Sequence, residues 1–178
     1  MQSDARLDGQ RRNDVIALKV TSMKEFTKQL FLQDTFDGFL LTEAIFTTSC
    51  VFTIDGGLNR DYYEEAELAE IGDRQYSTWK ELRPLCFQLI KGNKLPLSFR
   101  ITLRMKQSNV ELILERNELT GQFDVDSLQL NILYKNGTMT CTTGIALRQF
   151  TMDKSLDQVW DTMVRKFFQK HQIEYSES

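Results

Sequence analysis

Histidine is nearly absent from the sequence, and this limits the enzymatic chemistry available near neutral pH. His171 is the single histidine among 178 residues. A Ser-His-Asp triad, a Cys-His pair or a metal site with several histidines would need that one imidazole. Because His171 follows the apolar stripe of the last predicted helix, we expect it in a frayed C-terminal stretch and not in a catalytic site. Any activity would therefore rest on carboxylates, arginines, lysines or thiols.

Cysteine is scarce as well, with three widely spaced residues, Cys50, Cys86 and Cys141. The sequence has no C-x-x-C motif, which excludes a zinc knuckle and a thioredoxin-like redox motif. Since all three cysteines fall in strand-like or helix-like runs, we expect buried free thiols, which are typical of a reducing compartment. We predict no metal site and no cofactor.

Long apolar runs are also missing. No run approaches the roughly 18 apolar residues that a membrane-spanning helix needs, and the polar N-terminus lacks the apolar core of a secretory signal. The sequence therefore predicts a cytoplasmic protein that does not enter the membrane. We expect residues 1–13 to be a disordered leader or an extra segment, and residues 14–178 to form a single domain.

Against these absences stands an ordinary globular composition, with 41% hydrophobic and 26% charged residues. Residues 97–105 alternate between apolar and polar side chains, which predicts a half-exposed antiparallel strand. Asn136-Gly137 between two further strand-like runs predicts a tight hairpin, and apolar residues at helical spacing predict a long helix over 156–168. We predict an α+β fold, in which a mainly antiparallel sheet of about six strands is packed by about four helices.

Four Ser or Thr residues stand three positions before Glu or Gln, the spacing of the helix-starting capping box. The pairs are Ser22 with Glu25, Thr78 with Glu81, Ser108 with Glu111, and Ser155 with Gln158.

The order of predicted elements also admits a βαββα duplication, with half-repeats at residues 14–91 and 97–170. Such a duplication predicts a continuous antiparallel sheet with pseudo-twofold symmetry.

Several short motifs occur in a characteristic order along the chain. They are Ile16–Val20 with Met23-Lys24-Glu25-Phe26, Phe52-Thr53-Ile54-Asp55-Gly56, Trp79-x-x-Leu82-Arg83-Pro84, Leu89-Ile90-Lys91-Gly92, and Thr142-Thr143-Gly144 before Asp153-Lys154-Ser155-Leu156. Together they resemble a bacterial family known only as a domain of unknown function, over about residues 15–170. The resemblance implies a bacterial, cytoplasmic, single-domain protein and brings no activity, cofactor or partner.

A basic cluster is the first candidate ligand site. It comprises Lys91, Lys94, Arg100, Arg104 and Lys106, with no acidic residue between positions 91 and 106. Arg100 and Arg104 would share one face of a strand, about 13 Å apart, where forked guanidinium donors could bind phosphate. The alternative is the ordinary polar face of a half-exposed strand.

Glu43 is the second candidate, because regular alternation places it on the same side of its strand as Phe39, Leu41 and Ile45. A carboxylate there would lose solvation, which is one route to a catalytic acid or base. The alternatives are an edge position or a structural ion pair with Arg148. Asp55, before Gly56-Gly57, offers oxygen ligands to a cation, but a hairpin turn explains the same residues.

These features favour a non-catalytic binding or interaction module that contacts a protein partner or a second copy of the chain. The first alternative is an enzyme or a phosphate-ligand-binding protein that uses Glu43, Asp55, Arg100 and Arg104. The second alternative is a clamp-like sheet that associates with DNA, although the net charge of −3 argues against nucleic acid as a partner.

Overall fold

Seven strands form one sheet in the computed structural model, which describes residues 16–177. The strands are β1 (Ala17–Val20), β2 (Phe39–Thr47), β3 (Val51–Asp55), β4 (Ser98–Met105), β5 (Val125–Lys135), β6 (Thr138–Leu147) and β7 (Tyr175–Glu177). Their order across the sheet is β3-β2-β4-β5-β6-β1-β7, and every neighbouring pair is antiparallel.

Five α-helices accompany the sheet in this part of the chain. They are α1 (Met23–Phe31), α2 (Glu65–Ile71), α3 (Trp79–Ile90), α4 (Gln107–Arg116) and α5 (Ser155–Lys170). The predicted α+β class is confirmed, with one strand and one helix more than expected. The leader proposed for residues 1–13 lies outside the described residues.

One face of the sheet is packed by helices because apolar side chains alternate along its strands. In β4, for example, Phe99, Ile101 and Leu103 are buried, and in α5 the residues at helical spacing are buried in the same way. Phe31 of α1 contacts Phe99 of β4 at a ring-centroid distance of 5.7 Å. The buried side chains of α1, α3, α4 and α5 join those of the strands in one hydrophobic cluster.

The order of elements repeats between the two halves of the chain, but the strand pairing does not. Apart from α2 and β7, each half runs strand, helix, strand, strand, helix. In the second half β4, β5 and β6 are consecutive neighbours, whereas in the first half β1 lies between β6 and β7, away from β2. The sheet is continuous, as the duplication predicts, yet its pairings are not related by a twofold. A common origin of the two halves stays a prediction.

Of the four predicted capping boxes, only that of α3 has both hydrogen bonds. The Thr78 hydroxyl accepts from the Glu81 backbone N–H, and the Glu81 carboxylate accepts from the Thr78 backbone N–H. Ser22 precedes α1 without a side-chain hydrogen bond. The other two predictions were wrong because the helices begin earlier than the motifs imply. Helix α4 begins at Gln107, before Ser108, and α5 begins at Ser155 itself, whose N–H donates to Asp153.

The predicted frayed C-terminal stretch is instead an ordered strand. His171 is the first residue after α5, and its ring lies 4.6 Å from that of Phe167, measured between centroids. The chain then buries Ile173 and pairs β7 with β1. Arg165 of α5 donates to the Glu177 carboxylate, which ties the last strand to the helix layer. A three-residue strand has too little apolar alternation to be read from sequence.

The three cysteines are free, but only two are buried. Burial raises the pKa of the Cys86 thiol to about 12, and burial also raises the pKa of the Cys141 thiol. Cys50 lies in the turn between β2 and β3 and is exposed, so the prediction of a buried thiol was wrong there.

Among the described helices, none has the length and apolar character to cross a membrane.

Asp161 of α5 forms a hydrogen bond between this helix and the sheet, and its contribution to stability can be tested. The Thr143 hydroxyl donates to its carboxylate at 2.6 Å, and desolvation raises the pKa of Asp161. A raised pKa means that Asp161 favours the fold while protonated, and that this contribution is lost as the pH rises through the raised value. We expect Asp161→Asn to raise the free energy of unfolding by about 0.5 kcal/mol at neutral pH. Urea unfolding across the acidic range would show the gain disappear once Asp161 is protonated; a gain that is independent of pH would contradict this explanation.

Candidate ligand site on the open face of the sheet

The sheet face opposite the helix layer carries polar side chains at its centre, and we call it the open face. It presents the residues that alternate with the buried ones in the four central strands. They are Glu43 and Ile45 of β2, Arg100 and Thr102 of β4, Asn131 and Leu133 of β5, and Thr140 and Thr142 of β6.

A depression of about 500 Å³ occupies the centre of this face. Its lining residues are Glu43, Arg100, Thr102, Asn131, Leu133, Thr140 and Thr142. Since neighbouring strands lie about 4.8 Å apart, the four contributing strands span about 14 Å. The depression is therefore large enough for a small polar molecule or for the tip of a partner's loop.

Strand register arranges the lining residues in two cross-strand rows. Glu43, Thr102, Asn131 and Thr142 stand opposite one another in one row, and the Thr102 hydroxyl donates to the Asn131 side-chain oxygen at 3.0 Å. The neighbouring row places Arg100 beside Leu133, followed by Thr140. Because these side chains stand on the ladder of a sheet, their spacing is fixed by backbone hydrogen bonds.

Glu43 and Arg100 are the two charged groups of the depression. Glu43 lies opposite Thr102, two residues from Arg100, so the two charged residues are diagonal neighbours about 7 to 8 Å apart. Neither side chain has a hydrogen bond or an ion pair within residues 16–177. Both are exposed. An unpaired guanidinium beside an unpaired carboxylate can therefore bind a ligand without first breaking an internal contact.

The predicted position of Glu43 was half wrong, and a β-bulge explains the difference. The pairing of β2 with β4 shifts register between Leu41 and Glu43. An inserted residue reverses the alternation beyond it, so Phe39 and Leu41 face the helices while Glu43 and Ile45 face the open side. Glu43 is consequently exposed and not desolvated. The proposed ion pair with Arg148 is absent, because Arg148 pairs with Asp124 and Asp126.

Asp55 stands directly opposite Glu43 on the neighbouring β3, which brings two carboxylates together at the border of the open face. One Asp55 oxygen accepts from the Gly57 backbone N–H at 2.8 Å. Asp55 ends β3, and the hairpin between β2 and β3 turns at residues 48–50 instead. The interpretation of Asp55-Gly56-Gly57 as a hairpin turn was therefore wrong.

Arg104 lies on the same face of β4 as Arg100, but its guanidinium already contacts other residues of the chain. Its guanidinium donates to the Asp126 backbone oxygen at 2.8 Å and lies 4.2 Å from the centroid of the Tyr76 ring. Only 11% of its side chain is exposed. Arg104 therefore supports the end of the sheet, whereas Arg100 remains available to a ligand.

Two of the three lysines of the basic cluster, Lys91 and Lys94, lie away from the depression. Lys91 and Lys94 are exposed in the connection between α3 and β4 and do not line the depression. The two candidate sites therefore divide differently from the prediction: Arg100 of the basic cluster and Glu43 line the same depression, while Lys91, Lys94 and Arg104 do not line it. In residues 16–177, no three His, Cys, Asp or Glu side chains converge in a way that could hold a metal ion.

The neutral residues of the depression were not predicted. The alternation of residues 97–105 places Thr102 on the correct strand face. Asn131 and Thr140 lie in the two runs predicted only as a hairpin, and Thr142 is named only within that hairpin and a family motif. Their positions alternate with buried residues of β5 and β6, so the same face assignment made for β4 would have found them. These residues lie next to Arg100 because β5 and β6 follow β4 in the sheet, and the alternation of apolar and polar residues does not reveal that strand order.

The chain matches a family model over most of its length. The profile described as "Family of unknown function (DUF5721)" matches residues 29–176, which is most of the chain. Neither the curated proteins nor the solved structures contain a match. The expected resemblance to an uncharacterised domain family is confirmed.

Proposed function

Because the chain belongs to DUF5721, a family of unknown function, we propose a function from the geometry of the open face alone. The protein is a non-catalytic binding module, and its ligand occupies the depression between β2 and β6. One observation carries this proposal. Glu43 and Arg100 are both exposed and form no ion pair within residues 16–177, and they stand beside the threonine and asparagine side chains of the two cross-strand rows.

The lining residues define the chemistry of the ligand. Arg100 offers a forked set of donors that suits a carboxylate or a phosphate. The hydroxyls of Thr102, Thr140 and Thr142 can donate and accept hydrogen bonds, and Leu133 supplies an apolar contact. The ligand is therefore a polar group with an anionic end at Arg100 and a hydrogen-bond donor toward Glu43, carried by a small molecule or by a loop of a protein partner.

A bacterial, cytoplasmic setting forms part of the proposal. The cytoplasmic part is supported by the three free cysteines, which are usual in a reducing compartment, and the bacterial part rests on the family resemblance of the sequence motifs. Nucleic acid is a disfavoured partner, since the depression offers one available arginine, Arg100, beside the two carboxylates of Glu43 and Asp55, which is too little positive charge to bind a row of backbone phosphates.

NMR titration of the isotopically labelled protein with inorganic phosphate and with citrate tests the site. We expect saturable shifts of the backbone signals of Thr102, Asn131, Thr140 and Thr142. Arg100→Gln should weaken the binding of citrate by about tenfold or more, because a charge-assisted hydrogen-bonded contact is worth about 1.5 to 3 kcal/mol. Glu43→Gln should strengthen anion binding modestly by removing a nearby negative charge.

Arg116→Gln is the matched control, because Arg116 is an exposed arginine in α4, outside the depression. It should leave the titration unchanged. The proposal fails if neither anion produces saturable shifts on the open face, or if Arg100→Gln and Arg116→Gln weaken binding equally, as diffuse charge attraction would.

A further inference from the structure

The outer edge of β3 is an interaction surface, and we infer that a second copy of this chain pairs with it in antiparallel fashion. Among the strands of residues 16–177, β3 is the terminal one on one side of the sheet. An edge strand presents a row of unused backbone donors and acceptors, which natural proteins usually shield with lysine, proline, a bulge or a short strand. The five residues of β3, Val51 to Asp55, include no lysine or proline.

Hydrogen bonds at both ends of β3 show which backbone groups point outward. The Gly56 N–H donates to the Thr42 oxygen, and the Thr48 N–H donates to the Cys50 oxygen, both at 2.9 Å. Bonded pairs alternate along an antiparallel ladder, so Phe52 and Ile54 use their backbone groups on β2. The N–H and C=O groups of Val51, Thr53 and Asp55 then point away from the sheet. None of these outward backbone groups has a hydrogen-bond partner within residues 16–177.

This edge is complementary to itself about Thr53. When Thr53 faces Thr53 of the partner copy, Val51 of each copy faces Asp55 of the other. All three outward residues then fall in hydrogen-bonded positions, which gives six reciprocal backbone bonds around a twofold axis. The same register keeps the two Asp55 carboxylates apart, so no like charges stand opposite each other.

Side chains on the helix-packed side agree with this register. Phe52 of each copy would face Ile54 of the other, and such apolar cross-strand pairs stabilise a sheet. Phe52 is 38% exposed in the single chain, and Ile54 is partly buried. Pairing would therefore cover apolar surface at the border of the core without moving either strand.

Helix α3 presents a second apolar surface toward the same edge. Its Arg83 and Phe87 contact α1, and α1 lies on the side of β4, so the opposite side of α3 points toward β3. Leu82, Leu85 and Leu89 share that opposite side at helical spacing. Leu85 is 52% exposed. The twofold axis of the pair is perpendicular to the sheet, so the two α3 helices lie on the same side and can bring their leucines together.

The opposite edge of the sheet, formed by β7, is less suited to pairing with another strand. β7 has three residues, and its Glu177 is held by Arg165 of the same chain. Short and charged edge strands resist pairing. Association through β3 alone is isologous and closes as a dimer, whereas β3 on β7 would continue into a filament.

Sedimentation and site-specific cross-linking of the full chain test this inference. Cys50→Ser provides the background, since Cys86 and Cys141 are buried. We expect this chain to sediment as a concentration-dependent dimer. Thr53→Pro removes only an outward N–H, which an edge strand tolerates, and should give a folded monomer by sedimentation and circular dichroism. Thr53→Lys is a second route to the monomer, because it places two like charges face to face.

Cross-linking distinguishes the proposed register from any other contact. In the Cys50→Ser background, Thr53→Cys brings two thiols to strand positions about 5.5 Å apart between Cα atoms, within disulfide range. Val51→Cys is the matched control, because its two copies lie about 13 Å apart along the strands. Oxidation should link the first variant and not the second. Leu85→Gln should weaken the dimer while preserving the fold. A monomeric background chain, a Thr53→Pro variant that still dimerises, or equal cross-linking at both positions would overturn the inference.

Discussion

Trp79→Ala is expected to lower the free energy of unfolding by about 4 kcal/mol, the largest effect of any substitution considered. Trp79 is fully buried at the start of α3, and its ring lies 5.8 Å from that of Phe31 between centroids. Its indole N–H donates to the Leu30 backbone oxygen at 2.8 Å. The last carbonyls of a helix have no partner inside it, so Trp79 satisfies a buried acceptor at the end of α1 while it fills the core.

Two variants separate these contributions. Trp79→Phe keeps most of the volume but leaves the Leu30 oxygen without its donor, so we expect a loss of about 2 kcal/mol. Phe150→Ala removes an aromatic ring that is 79% exposed and should change stability by less than about 0.5 kcal/mol. Equilibrium unfolding in guanidinium chloride, followed by circular dichroism, measures all three. If Trp79→Phe were as stable as the parent chain, the hydrogen bond would contribute nothing.

Gly56→Ala is expected to lower the free energy of unfolding by about 3 kcal/mol, although it adds a single methyl group. A Cβ atom at this position would lie 1.8 Å from the Leu41 backbone oxygen and 2.6 Å from the Leu41 carbonyl carbon. Backbone atoms of a central strand cannot move away as the tip of a side chain can. The substitution would force β2 and the segment after β3 apart at the bulge that orients Glu43.

Gly38→Ala is the matched control, since an added Cβ would find no atom within 4 Å. Thermal unfolding of both variants should show a fall in the Tm of Gly56→Ala by roughly 10 °C, at about 2 to 4 °C for each kcal/mol in a chain of this size. Gly38→Ala should unfold within a few degrees of the parent chain. Similar Tm values for all three proteins would show that the close approach to Leu41 is not required.

The sequence was sufficient to predict the open face wherever the strands are regular. Alternation in β4 assigned Arg100 and Thr102 to the polar side and Phe99 to the core, and both assignments are confirmed. Asn136-Gly137 joins β5 to β6 as predicted, with positive φ values of 51° and 71°. Local periodicity and turn chemistry act over a few neighbouring residues, so a single sequence contains them in full.

The errors arose where one residue interrupts the pattern or where distant strands decide the outcome. One inserted residue in β2 reverses every later assignment in that strand, and it moved Glu43 from the core side to the open side. Arg104 and Arg100 look alike in the sequence, but only Arg104 meets Tyr76 and Asp126. These contacts depend on which elements fold against β4, and strand order is not encoded by the alternation of any single strand.

The place of β1 in the sheet has a consequence for the order in which the chain can fold. Ala17 pairs with Thr142, and Val20 pairs with Tyr175, so the earliest strand finds its neighbours only among late segments. Contacts between residues so far apart in sequence carry a high loop-closure entropy and slow folding. During synthesis, β2 to β5 can pair with one another before any neighbour of β1 has been made. β1 gains its first neighbour, β6, when residue 142 has left the ribosome, and its second, β7, when residue 175 has followed. β1 therefore joins the sheet only after β6 has been made, and β7 pairs with β1 last, although β1 precedes the other described strands in the sequence.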